Sequence, residues 1–351
     1  MAIDLYEPRT MARMLSEMKP PRTFIRDTFF RNHEEYDTEH VDVDIEIGAR
    51  RLAPFVSPRL AGKVVDTVGF KTSVYKNPTI SLKKVLTGDH LQARVPGESL
   101  YENRSPEERQ AILLGKGLAD LDQMITRREE WMCAQALFTG QIHVVGDGVD
   151  EVITFGRPAE LTIALPAAAQ RWDADTADIP KQLRDWRRAC VKASGQSPDT
   201  AILGAKAADA LLANEKLRKT LDTLRLDMGQ ISPELMGTPG VTYLGQLKGT
   251  GIDLWVYDEW YVDPDSGDEL PMVPEKEVLI GSSRAYTALR YAAVPVATGS
   301  DGSSTLSIVR GARIPDSWIE KEPPARFIKI SSRPLPVPIQ IGAFLKATVV
   351  A

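Results

Sequence analysis

Six carboxylates crowd residues 258–269 of the stretch "YDEWYVDPDSGDELPMVPEKEVLIGS" (257–282): Asp258, Glu259, Asp263, Asp265, Asp268 and Glu269, with Gly267 among them. Oxygen ligands of this kind suit a hard divalent cation, and such a cation could activate water for hydrolysis. The spacing does not fit a helix-loop-helix calcium loop, which takes acids or amides at positions 1, 3 and 5, glycine at 6 and glutamate at 12. Counting from Asp263 puts Asp265 at position 3 but Gly267 at 5 and Pro274 at 12. The run "VDPDSGDELP" reads more simply as a reverse turn. Its Asp-Pro and Ser-Gly dipeptides supply the backbone angles that turn a chain and leave the acids in water. A metal-dependent hydrolase built on 258–269 stands as the alternative.

Other chemistry finds less support. The histidines are His33, His40, His90 and His143. In "HEEYDTEH" the second histidine falls seven residues after the first, whereas zinc proteases need the pair one helical turn apart. Cys133 and Cys190 each lie in a helical pattern, where a buried thiol is expected rather than a nucleophile, and two cysteines do not build a structural zinc site. "LLGKGLAD" lacks the first glycine and the Ser or Thr of a phosphate loop. Neither a nucleophile elbow nor a dinucleotide fingerprint is present. No cofactor and no catalytic residue are expected.

Composition narrows the class. Of 351 residues, 43% are apolar and 26% charged, the balance of a folded protein, and the net charge of −5 argues against a free nucleic-acid binder. The chain has no apolar run long enough to span a bilayer. The start "MAIDLYEPRTMARML" lacks the apolar core of a signal peptide, so the protein is expected to stay in the compartment where it is made.

The elements that would position these residues are of unequal kind. Residues 1–47 read as an arm: Pro20 and Pro21 break any helix, and "HVDVDIEI" alternates Val41, Val43, Ile45 and Ile47 with acids, a strand without a hairpin partner beside it. Residues 48–104 read as a long two-stranded excursion with scattered lysines and little core. "RSPEERQAILLGKGLADLDQMITRREEWMCAQALFTG" holds the strongest local signal. Ser105 and Glu108 form a capping box around Pro106, an apolar stripe runs through Leu114, Leu118, Leu121, Ile125 and Met132, and Gly140 stops the helix. Such a helix would span roughly 50 Å. A hairpin (141–157), a helix capped by Asp178, a strand and helix near 200–214, an aromatic hairpin (241–262) and C-terminal strands around a proline-rich corner follow. The class is α+β.

Taken in order, "FIRDTFF", "YDTEHVDVDIEIG", "LAPFVSPRLAG", the long-helix sequence, "VLIGSSRAYTALRYAAV" and "IPDSWIEKEPPARFIKISSRPLPVPIQIGAFLKA" resemble the major capsid protein family of tailed phages typified by the phage lambda coat protein. The likeness is least clear over about 196–250. It implies a Hong Kong 97-type fold with an N-terminal arm (1–47), an extended loop (48–104), a peripheral domain with a spine helix (105–195), an axial domain (196–322) and C-terminal strands returning to the peripheral domain (323–351).

It further implies a coat protein that assembles as pentamers and hexamers into an icosahedral head around double-stranded DNA. The implied partners are other copies of itself, a decoration protein, a scaffolding protein, a portal and weakly held DNA, with assembly in the bacterial cytoplasm. An acidic subunit suits a shell that must not grip DNA. Another virion assembly, a tail tube, is the second alternative. Candidate contacts between subunits are Phe29, Phe30, Val41, Val43 and Ile45 in the arm, Lys71, Tyr75 and Lys83 in the loop, and Trp260, Asp263, Asp265, Asp268 and Glu269 in the axial hairpin. Removing residues 1–47 is expected to leave a soluble core that fails to make stable shells.

Overall fold

A computed structural model describes residues 6–18, 23–46, 70–88, 105–146, 148–165, 170–174, 176–214, 221–222, 240–247, 251–298, 305–322 and 324–351. Much of the expected extended loop, including 48–69 and 89–104, lies outside them, as does most of 215–239.

Five helices are described: α1 (Pro8–Glu17), α2 (Ile25–Phe29), α3 (Pro106–Phe138), α4 (Ile179–Ser194) and α5 (Ala205–Ala213). The strands preceding α3 are β1 (Asn32–Glu35), β2 (His40–Glu46), β3 (Phe70–Lys76) and β4 (Ile80–Thr87). Between α3 and α5 come β5 (Gln141–Gly146), β6 (Val149–Thr154), β7 (Thr162–Ala164) and β8 (Thr200–Leu203). Then follow β9 (Leu221–Asp222), β10 (Val241–Leu247), β11 (Ile252–Tyr257), β12 (Trp260–Val262), β13 (Glu269–Pro271) and β14 (Glu277–Gly281). The chain closes with β15 (Ala288–Tyr291), β16 (Val294–Thr298), β17 (Thr305–Val309), β18 (Ile314–Lys321), β19 (Pro324–Ser332), β20 (Pro334–Val337) and β21 (Leu345–Thr348).

The spine helix α3 begins as its sequence dictates. The Ser105 side chain accepts from the Glu108 backbone N–H at 3.2 Å, and the Ser105 N–H donates to the Glu108 carboxylate at 3.0 Å. Its end is held by a residue that local patterning did not single out: the Arg157 guanidinium donates to the carbonyls of Leu137 and Phe138, orphaned at the helix terminus. Leu114, Leu118, Leu121 and Ile125 are buried against Ile328 and Ile330 of β19, with Met11 and Leu15 of α1 closing the same core. That sheet runs β18–β19–β4.

A seven-stranded sheet, ordered β7-β21-β14-β8-β11-β10-β9, forms the second body of the subunit. Strand alternation sends its side chains to two cores. Ala201, Leu203, Leu254, Val278 and Ile280 pack with Leu183, Trp186 and Cys190 of α4. Ile202, Trp255 and Leu279 pack the other way, with Phe24 and Phe29 of the N-terminal segment and with Cys133 and Leu137 of α3. Gly204 joins β8 to α5 with its backbone pressed on the Pro274 carbonyl, so closely that any Cβ would overlap it.

Three expectations change. The strand at 40–46 finds its partner inside the chain, pairing antiparallel with β3 from His40↔Lys76 to Glu46↔Phe70. The arm and the extended loop thus share one two-stranded ladder, an arrangement hidden by 23 intervening residues (47–69). The helix α4, grouped by sequence with the spine helix, packs on the seven-stranded sheet, because its Leu183, Trp186 and Cys190 face is the cover that sheet lacks on one side. The last strand, β21, joins that sheet too, antiparallel to β14. Finally, residues 24–30 are core rather than a detachable arm: Phe24, Ile25, Phe29 and Phe30 are all buried.

Candidate functional site

Where the N-terminal segment, the spine helix and the start of β18 converge, charged side chains are buried. Asp122, Thr126 and Glu129 follow one another at helical spacing along α3, beside the apolar stripe. Arg313 reaches all three: Nε donates to Asp122 Oδ1 at 2.6 Å, Nη2 to Thr126 Oγ1 at 3.0 Å, and Nη1 to Glu129 Oε1 at 2.6 Å. From the N-terminal segment, Arg26 Nη1 donates to Glu129 Oε2 at 3.0 Å. Burial alone would lower the Arg26 pKa, but the Glu129 and Asp27 carboxylates outweigh it and hold the guanidinium above its ordinary value.

Glu130, next along the helix, accepts from the backbone N–H groups of Phe24, Ile25 and Arg26 at 3.0, 2.7 and 2.9 Å, capping α2. Burial raises its pKa, against the lowering effect of those donors and of a hydrogen bond from Tyr257. These residues tie together segments more than a hundred positions apart. Sequence reasoning passed over them, because "RREE" in a helix resembles a solvated face. The available signal was that Asp122, Thr126 and Glu129 flank the apolar stripe rather than oppose it.

The acidic segment is a tight hairpin. β12 pairs with β13, with Trp260 opposite Pro271 and Val262 opposite Glu269. Gly267 takes a φ of +76°, the left-handed conformation the turn requires. Asp263 is spent on the turn: its Oδ2 accepts from Ser266 Oγ at 3.0 Å, and its backbone carbonyl accepts from Gly267 N–H at 2.9 Å. Trp260 Nε1 donates to Asp258 Oδ1 at 3.0 Å. Asp265, Asp268 and Glu269 are exposed. Among the described residues no group of three or more His, Cys, Asp or Glu side chains is placed to hold a metal ion. Trp260 and Val262 project into solvent, 44% and 61% exposed, while Tyr261 packs edge-on to Trp131 of α3.

The remaining candidate contacts divide. Phe29, Phe30 and Val41 are each almost fully buried in the subunit's own core. Their aromatic and β-branched character reflects that core. Tyr75 is half-buried with its ring on Phe155, and Lys83 is exposed, its ammonium 5.7 Å from the Phe327 ring centroid. Val43, Ile45 and Lys71 lie on the β2–β3 ladder, and their side chains fall outside the described residues. Both thiols are buried.

Comparison with known proteins agrees along the whole chain. The family model described as phage major capsid protein E matches residues 7–349. The major capsid protein of Enterobacteria phage P21 is 26% identical over 319 residues, 90% of this chain and 91% of that one. That of Escherichia phage lambda is 23% identical over 310 residues, 88% of each. A solved prophage capsid protein from Escherichia coli CFT073 superimposes with a TM-score of 0.72 at 19% identity, covering 100% of both chains. A phage-related protein of Bordetella bronchiseptica RB50 does so at 0.56, with 12% identity and 99% and 97% coverage. The α+β subunit has the Hong Kong 97-type capsid fold, and the chain belongs to the phage major capsid protein E family.

Proposed function

We propose that this structural coat protein forms pentamers and hexamers that close into an icosahedral head around double-stranded DNA. The observation that carries the reading is the family match from residue 7 to residue 349, with a capsid fold shared end to end. The subunit acts by surface rather than by chemistry, and no catalytic step is assigned to it. The spine-helix body and the seven-stranded-sheet body serve as peripheral and axial domains, with α4 and β21 in the axial one. The β2–β3 ladder forms the root of the extended loop, which lies on neighbouring copies together with the outermost part of the arm. Val43, Ile45, Lys71, Tyr75, Lys83, Trp260 and the 263–269 acids are the candidate contacts that stay available.

A decoration protein, a scaffolding protein and a portal complete the partner set, DNA is held weakly and non-specifically, and assembly takes place in the host cytoplasm. Electron microscopy of purified protein tests the reading. Closed particles or capsomers are expected; open tubes would favour the tail-tube alternative, and a chain that stays monomeric under all assembly conditions would overturn the proposal.

A further inference from the structure

Resting on that shell reading, we propose that the acidic hairpin β12–β13 of one subunit docks on the basic outer face of α4 of the next copy around a ring. The helix carries Lys181, Arg184, Arg187, Arg188 and Lys192 against the single acid Asp185. Lys181, Arg184, Arg188 and Lys192 recur at helical spacing and are all exposed, while Leu183, Trp186 and Cys190 on the reverse side are buried. The hairpin is the opposite in sign: from Asp258 to Glu269 it has six carboxylates and no Lys, Arg or His. It also holds out Trp260 and Val262, alternate residues on one face of β12.

Three physical arguments join these two surfaces. A ring repeats a heterologous contact, so one chain must carry two different surfaces that complement each other. The two cannot meet within one subunit, because they lie on opposite sides of the seven-stranded sheet. The helix covers the face bearing Ala201, Leu203 and Leu254. The hairpin's Tyr261 belongs to the core on the other face, with Ile202, Trp255 and Leu279. Lastly, exposed ion pairs contribute little each, so the charges select and orient, and Trp260 with Val262 supplies apolar area to bury. A two-fold pair would have to engage both surfaces of each copy in one interface, and their placement on opposite sides of the sheet disfavours that and leaves the head-to-tail arrangement.

The test uses two charge reversals at exposed positions of the full chain: Asp265→Lys with Asp268→Lys on the hairpin, and Arg184→Glu with Arg188→Glu on the helix. Thermal melting checks that each variant stays folded. The neutral replacements Asp265→Asn, Asp268→Asn, Arg184→Gln and Arg188→Gln, expected to weaken assembly less, repeat the test should a reversal fail to fold.

Each reversal alone is expected to lower capsomer yield by about tenfold or more, the effect of roughly 1.4 kcal/mol at the contact. All four changes in one chain leave a hairpin of net −2 against a helix face of net zero, so this variant is expected to assemble no better than either reversal alone. Reversals that assemble like the unaltered chain overturn the contact while unaltered particles leave the shell reading standing. Unaltered protein that never assembles overturns both. Normal ring yield with reduced DNA retention by the helix variant would assign the basic face to nucleic acid instead.

Discussion

Arg313 grips Glu129 with both prongs of its guanidinium, Nη1 to Oε1 at 2.6 Å and Nη2 to Oε2 at 3.1 Å, across 184 residues of sequence. The Glu129 side chain is fully buried, and Arg26 closes on its other side. The joint therefore pins the N-terminal segment and the start of β18 to the same turn of the spine helix. Buried ion pairs are poor stabilisers relative to apolar packing, because desolvation offsets much of the attraction; removing one partner is what costs dearly.

Replacement of Arg313 by methionine should accordingly destabilise the subunit by about 3–5 kcal/mol, since Glu129 and Asp122 lose their shared cation in a dry site. Denaturant unfolding of the assembly-incompetent subunit measures the loss. Adding Glu129→Gln to Arg313→Met should cost less than the sum of the single changes, the signature of a coupled pair. Additive costs would mean that the two side chains do not act together.

The cysteines make a different point. Burial pushes the Cys190 thiol up to about 12, and Cys133 is raised well above its usual range, first by burial and then by Glu130. At pH 8 a thiol with a pKa of about 12 is ionised on the order of once in ten thousand molecules. A thiol-specific reagent should find no reactive cysteine in the native subunit and two after denaturation. Rapid labelling of native protein would show that the core around α4 or α3 opens readily.

How much of this was legible from residue order depended on range. The capping box at Ser105, the stripe from Leu114 to Met132 and the turn at Gly267 are local devices, so spacing alone placed them. The β2–β3 pairing joins strands across 47–69, and no local pattern names a partner at that distance. Glu129 and Glu130 were illegible for a related reason. Carboxylates in a charged helix segment read as solvated, and only the arrival of Arg26, Arg313 and three backbone N–H groups makes them interior. At the acidic hairpin, the Ser-Gly dipeptide marked the turn that Gly267 makes, yet nothing in the sequence showed that α4 stands on the opposite side of the same sheet.

Deleting residues 1–47 should collapse the subunit instead of leaving a soluble core. Phe24, Ile25, Phe29 and Phe30 fill the space between the sheet and α3, and Met11 with Leu15 caps the lower spine. Removing a single large buried side chain typically costs a few kcal/mol, so losing several at once exceeds the total stability of an ordinary domain. Expression should yield insoluble material. Deletion of residues 1–5 alone, ahead of α1, should leave solubility unchanged, and a soluble, cooperatively melting 48–351 fragment would refute the role given to the segment.

Glu130 sets the sign of a pH dependence. Burial, the largest influence, raises its pKa above the ordinary 4.5, although the amides of Arg26, Ile25 and Phe24 and the Tyr257 hydroxyl act the other way. Between 4.5 and the raised value the native chain holds a proton that the unfolded chain has released. Stability falls with rising pH wherever the native state binds more protons. The contribution of this group is thus fully present below 4.5 and is lost as pH climbs through the folded value. Glu130→Gln does not titrate, so the stability of the unaltered chain relative to this variant should decline as pH is raised from 4.5 to 8. The other groups around the site, Arg26, Glu129, Cys133 and Tyr257, are present in both proteins and cancel to first order. Unfolding titrations of the two proteins across that range measure the difference directly, and a difference that rises with pH would show that the three amide donors, not burial, control the carboxylate.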